Sequence, residues 1–367
     1  MPEQSAISHA TRVLAAVDNG VRADLALRDH IAQHRHLSPP EKRTIARAVF
    51  AYFRWQQWLD ARQSPPQRLA AALKLQAGFE TDEKSIKPEA LAARAVPAWL
   101  WDELPPLDAP GKAAFLRQLQ REPVLWLRAR PGTAATLAKS LTSTPTDRAP
   151  DALRYTGALD LYRTEQFRDG AFEIQDLASQ LVGQTCAPQP GETWWDACAG
   201  EGGKTLHLAD LMANKGLVWA SDRHTGRLTN LQRRFARAKL FNYRAAPWDG
   251  SAKLPTKTKF DGILVDAPCS GTGTWQRNPQ ARWTTMPDDV RELAATQLAL
   301  LTHVAGSLKP RGRLIYAVCT LTRSETTAVA AAFTAAHPEL EPLPAQTLWP
   351  HELNANGMFI AAWKRTK

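Results

Sequence analysis

Three kinds of residue in the second half of the chain have types and spacings that could do chemistry: a glycine loop, separated carboxylates and thiols. The loop runs Asp196-Ala197-Cys198-Ala199-Gly200-Glu201-Gly202-Gly203-Lys204-Thr205 and ends like a phosphate-cradling loop. Such a loop needs glycine five positions before its Gly-Lys, so that backbone amides can face the phosphates, and Cys198 stands there. The dinucleotide fingerprint fails too, because Gly200, Gly202 and Gly203 do not supply its spacing. What is left is a loop whose missing side chains let a ligand approach backbone amides at a helix start. Asp222 follows it, where a carboxylate can accept both hydroxyls of a ribose, although Asp222 and Asp249 could equally cap a helix or a turn. Asp266 closes a buried apolar run, a costly place for a carboxylate without a partner. Thiols are most often small buried hydrophobes, the role expected of Cys186 and Cys198. To react at neutral pH, a thiol needs its pKa lowered by a nearby cation. Lys204 is the local candidate, or it pairs with an acid.

These residues need strand ends to hold them. Residues 194–197, 217–221, 260–265 and 312–318 read as strands, and 203–212, 226–240 and 290–308 as helices between them. Alternation of this kind means a mostly parallel sheet with helices on both faces. Ligands bind such sheets at the carboxyl ends of the strands, where Asp196, Cys198, Asp222, Asp266, Cys269 and Cys319 fall. Residues 5–77 read as helices, with Ser38-Pro39-Pro40-Glu41 as a start signal. Breakers cluster over 64–111. A strand at 123–130 and a helix at 133–141 suggest a small α+β piece. The expected organisation is a helical module over 1–85, an α+β subdomain over 86–165 and a catalytic domain over 166–367.

The chain has 367 residues, enough for two or three domains with a substantial core. No stretch approaches the roughly 20 apolar residues of a membrane span, and residues 1–20 lack a signal-peptide core. A soluble, cytoplasmic monomer is expected. The four cysteines lack C-x-x-C spacing and suit a reducing compartment; no metal-ligand set is apparent. A net charge of +10 and a pI near 9.6 suggest a polyanionic partner. Residues 31–75 hold eight Lys/Arg against two acids, with Phe50, Tyr52, Phe53, Trp55 and Trp58 interleaved, and residues 223–244 hold seven basic residues and no acid. Phosphate contacts with base or sugar packing would use such a mixture, while an amphipathic helix would place the aromatics in its core.

Together the glycine loop, the acid after the second strand, the Trp-Asp-Gly turn and Asp-Ala-Pro-Cys read as a pocket for S-adenosylmethionine. Five segments carry a closer resemblance: FEIQDLASQLV (172–182), DACAGEGGKT (196–205), DAPCSGTGTWQRNPQARW (266–283), YAVCTLTRSE (316–325) and GMFIAAWKR (357–365). In this order and spacing they resemble the Sun/Nop, or RsmB-like, family of S-adenosylmethionine-dependent RNA cytosine-5 methyltransferases. EKRTIARAVFAYFRWQQWLD looks like the closing helix of the family's NusB-like domain, and REPVLWLRA like the start of its RNA-binding subdomain.

The resemblance implies a Rossmann-like class I core with a seven-stranded sheet, RNA as partner with ribosomal RNA favoured, and a thiol adduct at carbon 6 of cytosine that activates carbon 5. It makes Cys319 the nucleophile and Cys269 the group that assists proton removal and release, with Asp266 and Lys204 beside them. Ala197, Cys198, Ala199, Gly200, Gly202, Gly203, Lys204, Asp222, Arg227, Asp249 and Asp266 would line the cofactor. Asp266 would reach its amino group or the N3/N4 edge of cytosine, and Arg277 and Arg282 would contact phosphates. Transfer RNA as substrate, or an RNA-binding assembly factor without catalysis, are the alternatives. Two positions depart from the family pattern: Val318-Cys319-Thr320 replaces Thr-Cys-Ser, and Glu201 after Gly200 replaces a proline. Thr320 can still donate a hydrogen bond.

Overall fold

Successive side chains of a β-strand point to opposite faces, so consecutive Trp194 and Trp195, both fully buried, require a sheet covered on both sides. The computed structural model, which describes residues 2–366, has such a sheet. By internal packing the chain divides into two units: residues up to Pro123 together with Thr274–Thr285, and Val124–Gly273 together with the chain from Met286 onward.

The first unit is helical. Its main elements are α1 (Pro2–Asp18), α2 (Ala23–Gln33), α3 (Pro39–Trp55) and α4 (Pro65–Thr81), followed by shorter helices ending with Ala109–Gln120. Ser38 and Ser64 start α3 and α4 with reciprocal capping: the Ser38 amide donates to Glu41 at 2.8 Å and the Ser64 amide to Gln67 at 2.9 Å, an arrangement worth about 1 kcal/mol. Tyr52, Phe53 and Trp55 face the core of this unit, so the aromatics of the basic block serve packing. Arg282 does not present itself to a phosphate. Fully buried, it donates to the Trp275, Ala95 and Leu119 carbonyls and, at 3.0 Å, to Gln120. Its N–H groups are taken by acceptors in the core of the unit, which corrects the expectation of an RNA contact there. Arg277 is exposed in the same segment.

The second unit holds two sheets. Strands β1 (Leu125–Ala129), β2 (Ser143–Pro145), β3 (Ala152–Tyr155) and β4 (Phe172–Ile174) form an antiparallel sheet in the order β2-β3-β1-β4. Strands β5 (Thr193–Asp196), β6 (Leu217–Asp222), β7 (Tyr243–Pro247), β8 (Phe260–Asp266), β9 (Leu308–Val318), β10 (Leu340–Leu348) and β11 (Met358–Arg365) form the larger sheet, in the order β10-β11-β9-β8-β5-β6-β7. From β7 to β9 neighbours are parallel, and β11 and β10 add antiparallel. Trp194, Val218, Leu264 and Ile315 pack on one face against helices Leu177–Cys186, Gly203–Leu211 and Thr225–Ala238. Trp195, Ile263, Val265, Leu314 and Tyr316 pack on the other against Pro287–Ala305 and Thr327–Ala336. Each such aliphatic or aromatic side chain contributes roughly 1.5–3 kcal/mol by burial.

The unit boundary at Pro123 differs from the boundaries expected near 85 and 165. A buried network joins the small sheet to helix Gly203–Leu211 within the second unit, which bears on the boundary near 165: Arg128 of β1 donates to Gln175 at 2.7 Å and to Asp210 at 2.6 Å, and Arg130 pairs with Asp210 at 2.7 Å. Helix 287–305 also ends earlier than the periodicity predicts, since β9 begins at Leu308.

Candidate active site at the carboxyl ends of the parallel strands

After β6 and β7 extend the sheet to one side of β5, β8 returns to its other side, and the reversal opens a crevice at the carboxyl ends of β5 and β8. The backbone of the glycine loop splits there. The Ala197 amide still bonds toward β8, to the Leu264 carbonyl at 2.9 Å, while the Ala199 amide turns toward β6 and bonds to the Ser221 carbonyl at 2.8 Å. Gly200 and Gly202 then adopt φ of +55° and +83°, and a β-carbon on Gly202 would lie 2.5 Å from the Leu231 side chain. Only glycine meets both conditions, so the loop can lead directly into helix Gly203–Leu211.

Asp222, at the end of β6, is buried and accepts the Gly200 amide at 3.0 Å and the His224 amide at 2.8 Å. Arg227 lies 3.9 Å from it and is half exposed. Fixed by two amides, the carboxylate keeps acceptor capacity for a pair of hydroxyls, so the loop and Asp222 fit the ribose and glycine-loop requirements of S-adenosylmethionine. The Trp248 amide bonds to the Asp222 carbonyl, which sets Asp249 beside that strand end. Asp249 is exposed there and accepts the Ser251 amide at 2.9 Å, a turn cap that holds its carboxyl below the usual range.

Lys204 points its ammonium at Asp266, 2.7 Å away. Burial works to lower the lysine pKa, but the neighbouring Asp266 charge outweighs it and the net direction is upward, with Cys319 and Asp196 contributing in the same sense. Lys204 is therefore a fixed cation paired with an acid. The thiols meet by register. Asp266 pairs with Ala317 across β8 and β9, and the Ala267 amide bonds to the Ala317 carbonyl at 3.0 Å. Cys269 follows Ala267 by two residues and Cys319 follows Ala317 by two, and their sulfurs lie 3.4 Å apart. The Cys269 thiol is raised well above its ordinary value by its hydrogen bond with Cys319, and further by burial. It is held as a thiol. Cys198 is likewise held protonated by burial, and Cys186 is fully buried far up its own range.

Within YAVCTLTRSE, Glu325 has a role that the sequence does not suggest. Glu325 is completely buried and gathers donors from both cysteine loops. It accepts the Ser270 amide at 2.8 Å, the Ser270 hydroxyl, Thr320 at 2.9 Å, Thr322 at 2.8 Å and Gln297 at 3.0 Å. Thr320 thus supplies the hydroxyl expected of it. Glu201 accepts from Asn230 at 3.1 Å and tethers the glycine loop to helix Thr225–Ala238. On that helix Arg234 and Arg237 are committed to the buried Glu173, so two arginines of the basic tract hold the fold.

Asp196 sits beneath the loop, fully buried, accepting Thr205 at 2.7 Å. Burial pushes its pKa from 3.8 up to about 7. The folded protein then binds this proton more tightly than the unfolded chain, so the contribution is unfavourable to folding and grows as pH rises from about 4 to about 7. The expected result for Asp196→Asn is a melting temperature that gains on the wild type through this window, by at most on the order of 4 kcal/mol of stability, and stays level above pH 8. An offset independent of pH in paired melts would refute the assignment.

Residues 183–364 match the family model described as 16S rRNA methyltransferase RsmB/F. The chain is 36% identical over 221 residues to a probable ribosomal RNA small subunit methyltransferase B of Bacillus subtilis, covering 55% of this chain and 49% of that one. It is 33% identical over 231 residues to the ribosomal RNA small subunit methyltransferase B of Vibrio cholerae, covering 60% and 52%. The chain thus spans about half the length of the curated relatives it matches. The solved structure of PH0851 superposes with a TM-score of 0.83 at 22% identity over 100% of this chain and 99% of its own. A methyltransferase homolog from Pyrococcus horikoshii superposes with a TM-score of 0.63 at 24% identity over 71% and 92%. These two likenesses show the fold.

Proposed function

We propose that this chain, which belongs to the RsmB/F methyltransferase family, methylates carbon 5 of a cytosine in RNA, with small-subunit ribosomal RNA the substrate. The observation that carries this reading is the pair of thiols 3.4 Å apart beside the Lys204–Asp266 ion pair. Carbon 5 of cytosine is a poor nucleophile. Addition of a Cys319 thiolate to carbon 6 breaks the aromaticity of the ring and makes carbon 5 enamine-like. S-Adenosylmethionine supplies the electrophilic methyl group that carbon 5 then takes. A base must next remove the carbon 5 proton, so that the electron pair returns to the ring and expels the Cys319 thiolate. Cys269, beside Cys319, is the group that assists this release. Asp266 orients the base edge or the cofactor's amino group, and Lys204 provides the positive charge that favours a thiolate. Asp222 and the glycine loop would hold the ribose and the methionine end, with Asp249 toward the adenine. The names of the curated relatives favour small-subunit ribosomal RNA over transfer RNA.

The test is incubation with methyl-labelled S-adenosylmethionine and unmodified small-subunit ribosomal RNA or bulk transfer RNA, followed by digestion to nucleosides. Label in 5-methylcytidine from ribosomal RNA is the expected result. Label from transfer RNA alone would move the substrate, and label in any other nucleoside would overturn the chemistry. Cofactor binding with no label would favour a non-catalytic RNA-binding factor.

A further inference from the structure

The N-terminal helices contain a cluster that the methyl-transfer reading leaves unused. His9 on α1, His30 on α2 and His34 at the C-cap of α2 are each partly buried, and their ligand-capable atoms all lie within 4.8 Å of one another. His9 Nδ1 is 2.8 Å from His30 Nε2. His30 and His34, one helical turn apart, stack with ring centroids 4.2 Å apart, while His9 stands edge-on to both at 5.1 and 5.0 Å. His34 Nδ1 donates to the His30 carbonyl at 2.8 Å, because a carbonyl can only accept. That bond fixes the tautomer and leaves His34 Nε2 with its lone pair. Metal-bound imidazoles are oriented in the same way, with the second ring nitrogen donating to a carbonyl or carboxylate.

The His9–His30 hydrogen bond accounts for the approach of two ring nitrogens, but not for that of His34. We propose that His9, His30 and His34 bind one divalent first-row cation of the zinc type and so tie α1 to α2. Three imidazoles suit this class of metal, with water or an acid completing a tetrahedron. At a Zn–N distance of about 2.0 Å, ligand nitrogens stand roughly 3.3 Å apart, so modest side-chain rotation closes the set. The charges around it are mixed: Glu41 acts on His9 in favour of a cation and Arg12 against it, with His36 beside His34. Glu41 already accepts the Ser38 amide and hydroxyl. Burial first, then the neighbouring His34, lowers the pKa of His9, and brings that of His30 to about 4. His9 and His30 are therefore neutral at pH 7 and can bind metal without releasing a proton.

The experiment is a titration of the full, tag-free chain with cobalt(II), followed by displacement with zinc. One cobalt per chain is expected, with the comparatively strong visible d–d bands of a tetrahedral site, no near-ultraviolet thiolate charge transfer, and a melting temperature raised by zinc. His30→Ala and His34→Ala should each weaken affinity at least 100-fold with the circular dichroism unchanged, whereas Cys269→Ser/Cys319→Ser should bind as the wild type does. If His30→Ala fails to fold, His34→Ala at the helix end gives the same comparison. Absence of binding at 100 µM cobalt, binding that survives both histidine changes, or a thiolate charge-transfer band lost in the double cysteine variant would each overturn the site. None of these readings depends on methyl transfer, so failure here is separable from failure of the proposed reaction.

Discussion

Cys319→Ala is expected to reduce methyl transfer by a factor on the order of 10⁴ or more and to leave no covalent RNA adduct, because removal of a nucleophile eliminates the step that activates the base. Cys269→Ala should do something different. Addition and methyl transfer need only Cys319, so methylated RNA should accumulate as a covalent complex that migrates slowly on a denaturing gel. The sulfurs are 3.4 Å apart, and the hydrogen bond with Cys319, reinforced by burial, keeps Cys269 protonated. A group held as a thiol is suited to managing a proton and poorly suited to attacking carbon 6. If Cys269→Ala were inactive and formed no adduct while Cys319→Ala accumulated it, the two roles would be exchanged. Cofactor affinity should survive in both variants, since Asp222 and the glycine loop lie on other strands.

Much of this site was legible because its chemistry is written in short contiguous segments. Gly202 is an example: its requirement for a positive φ and for the absence of a β-carbon can be anticipated from a glycine run between a strand and a helix. The large sheet was legible for a similar reason, since its helix-strand alternation is periodic. β7 was not, because its residues are only partly buried and carry no continuous apolar run. What the sequence hid was pairing across long separations. Arg282 looks like a phosphate contact in a list of basic residues, and only the placement of Trp275, Ala95, Leu119 and Gln120 around it reveals a core cation. The three histidines were missed likewise: His30 and His34 have helical ligand spacing, but His9 stands 21 residues earlier and joins them only once α1 and α2 pack.

Glu325 belongs to the hidden class, and its substitution should have the second largest effect. One carboxylate accepts from the Ser270 amide and hydroxyl beside Cys269, from Thr320 beside Cys319, and from Thr322 and Gln297. A buried charge in such a position is stable only while its donors are present, and the donors only while it is. Glu325→Ala would strand them and leave a cavity, at a cost of roughly 3–5 kcal/mol in stability. Its effect on catalysis should exceed what partial unfolding explains, since a displacement of about 1 Å at a reacting atom can cost on the order of 100-fold in rate. Glu325→Gln should be milder, because one oxygen still accepts and the hydroxyls can turn to accept from the new amide. A positioning role can be separated from a merely structural one by oxidising the folded protein and timing the Cys269–Cys319 disulfide. With sulfurs 3.4 Å apart the wild type should close rapidly, Glu325→Gln at a similar rate, and Glu325→Ala far more slowly at temperatures where it remains folded. Closure at the wild-type rate in Glu325→Ala, together with lost activity, would show that the carboxylate acts on the reaction by some means other than holding the two thiols together.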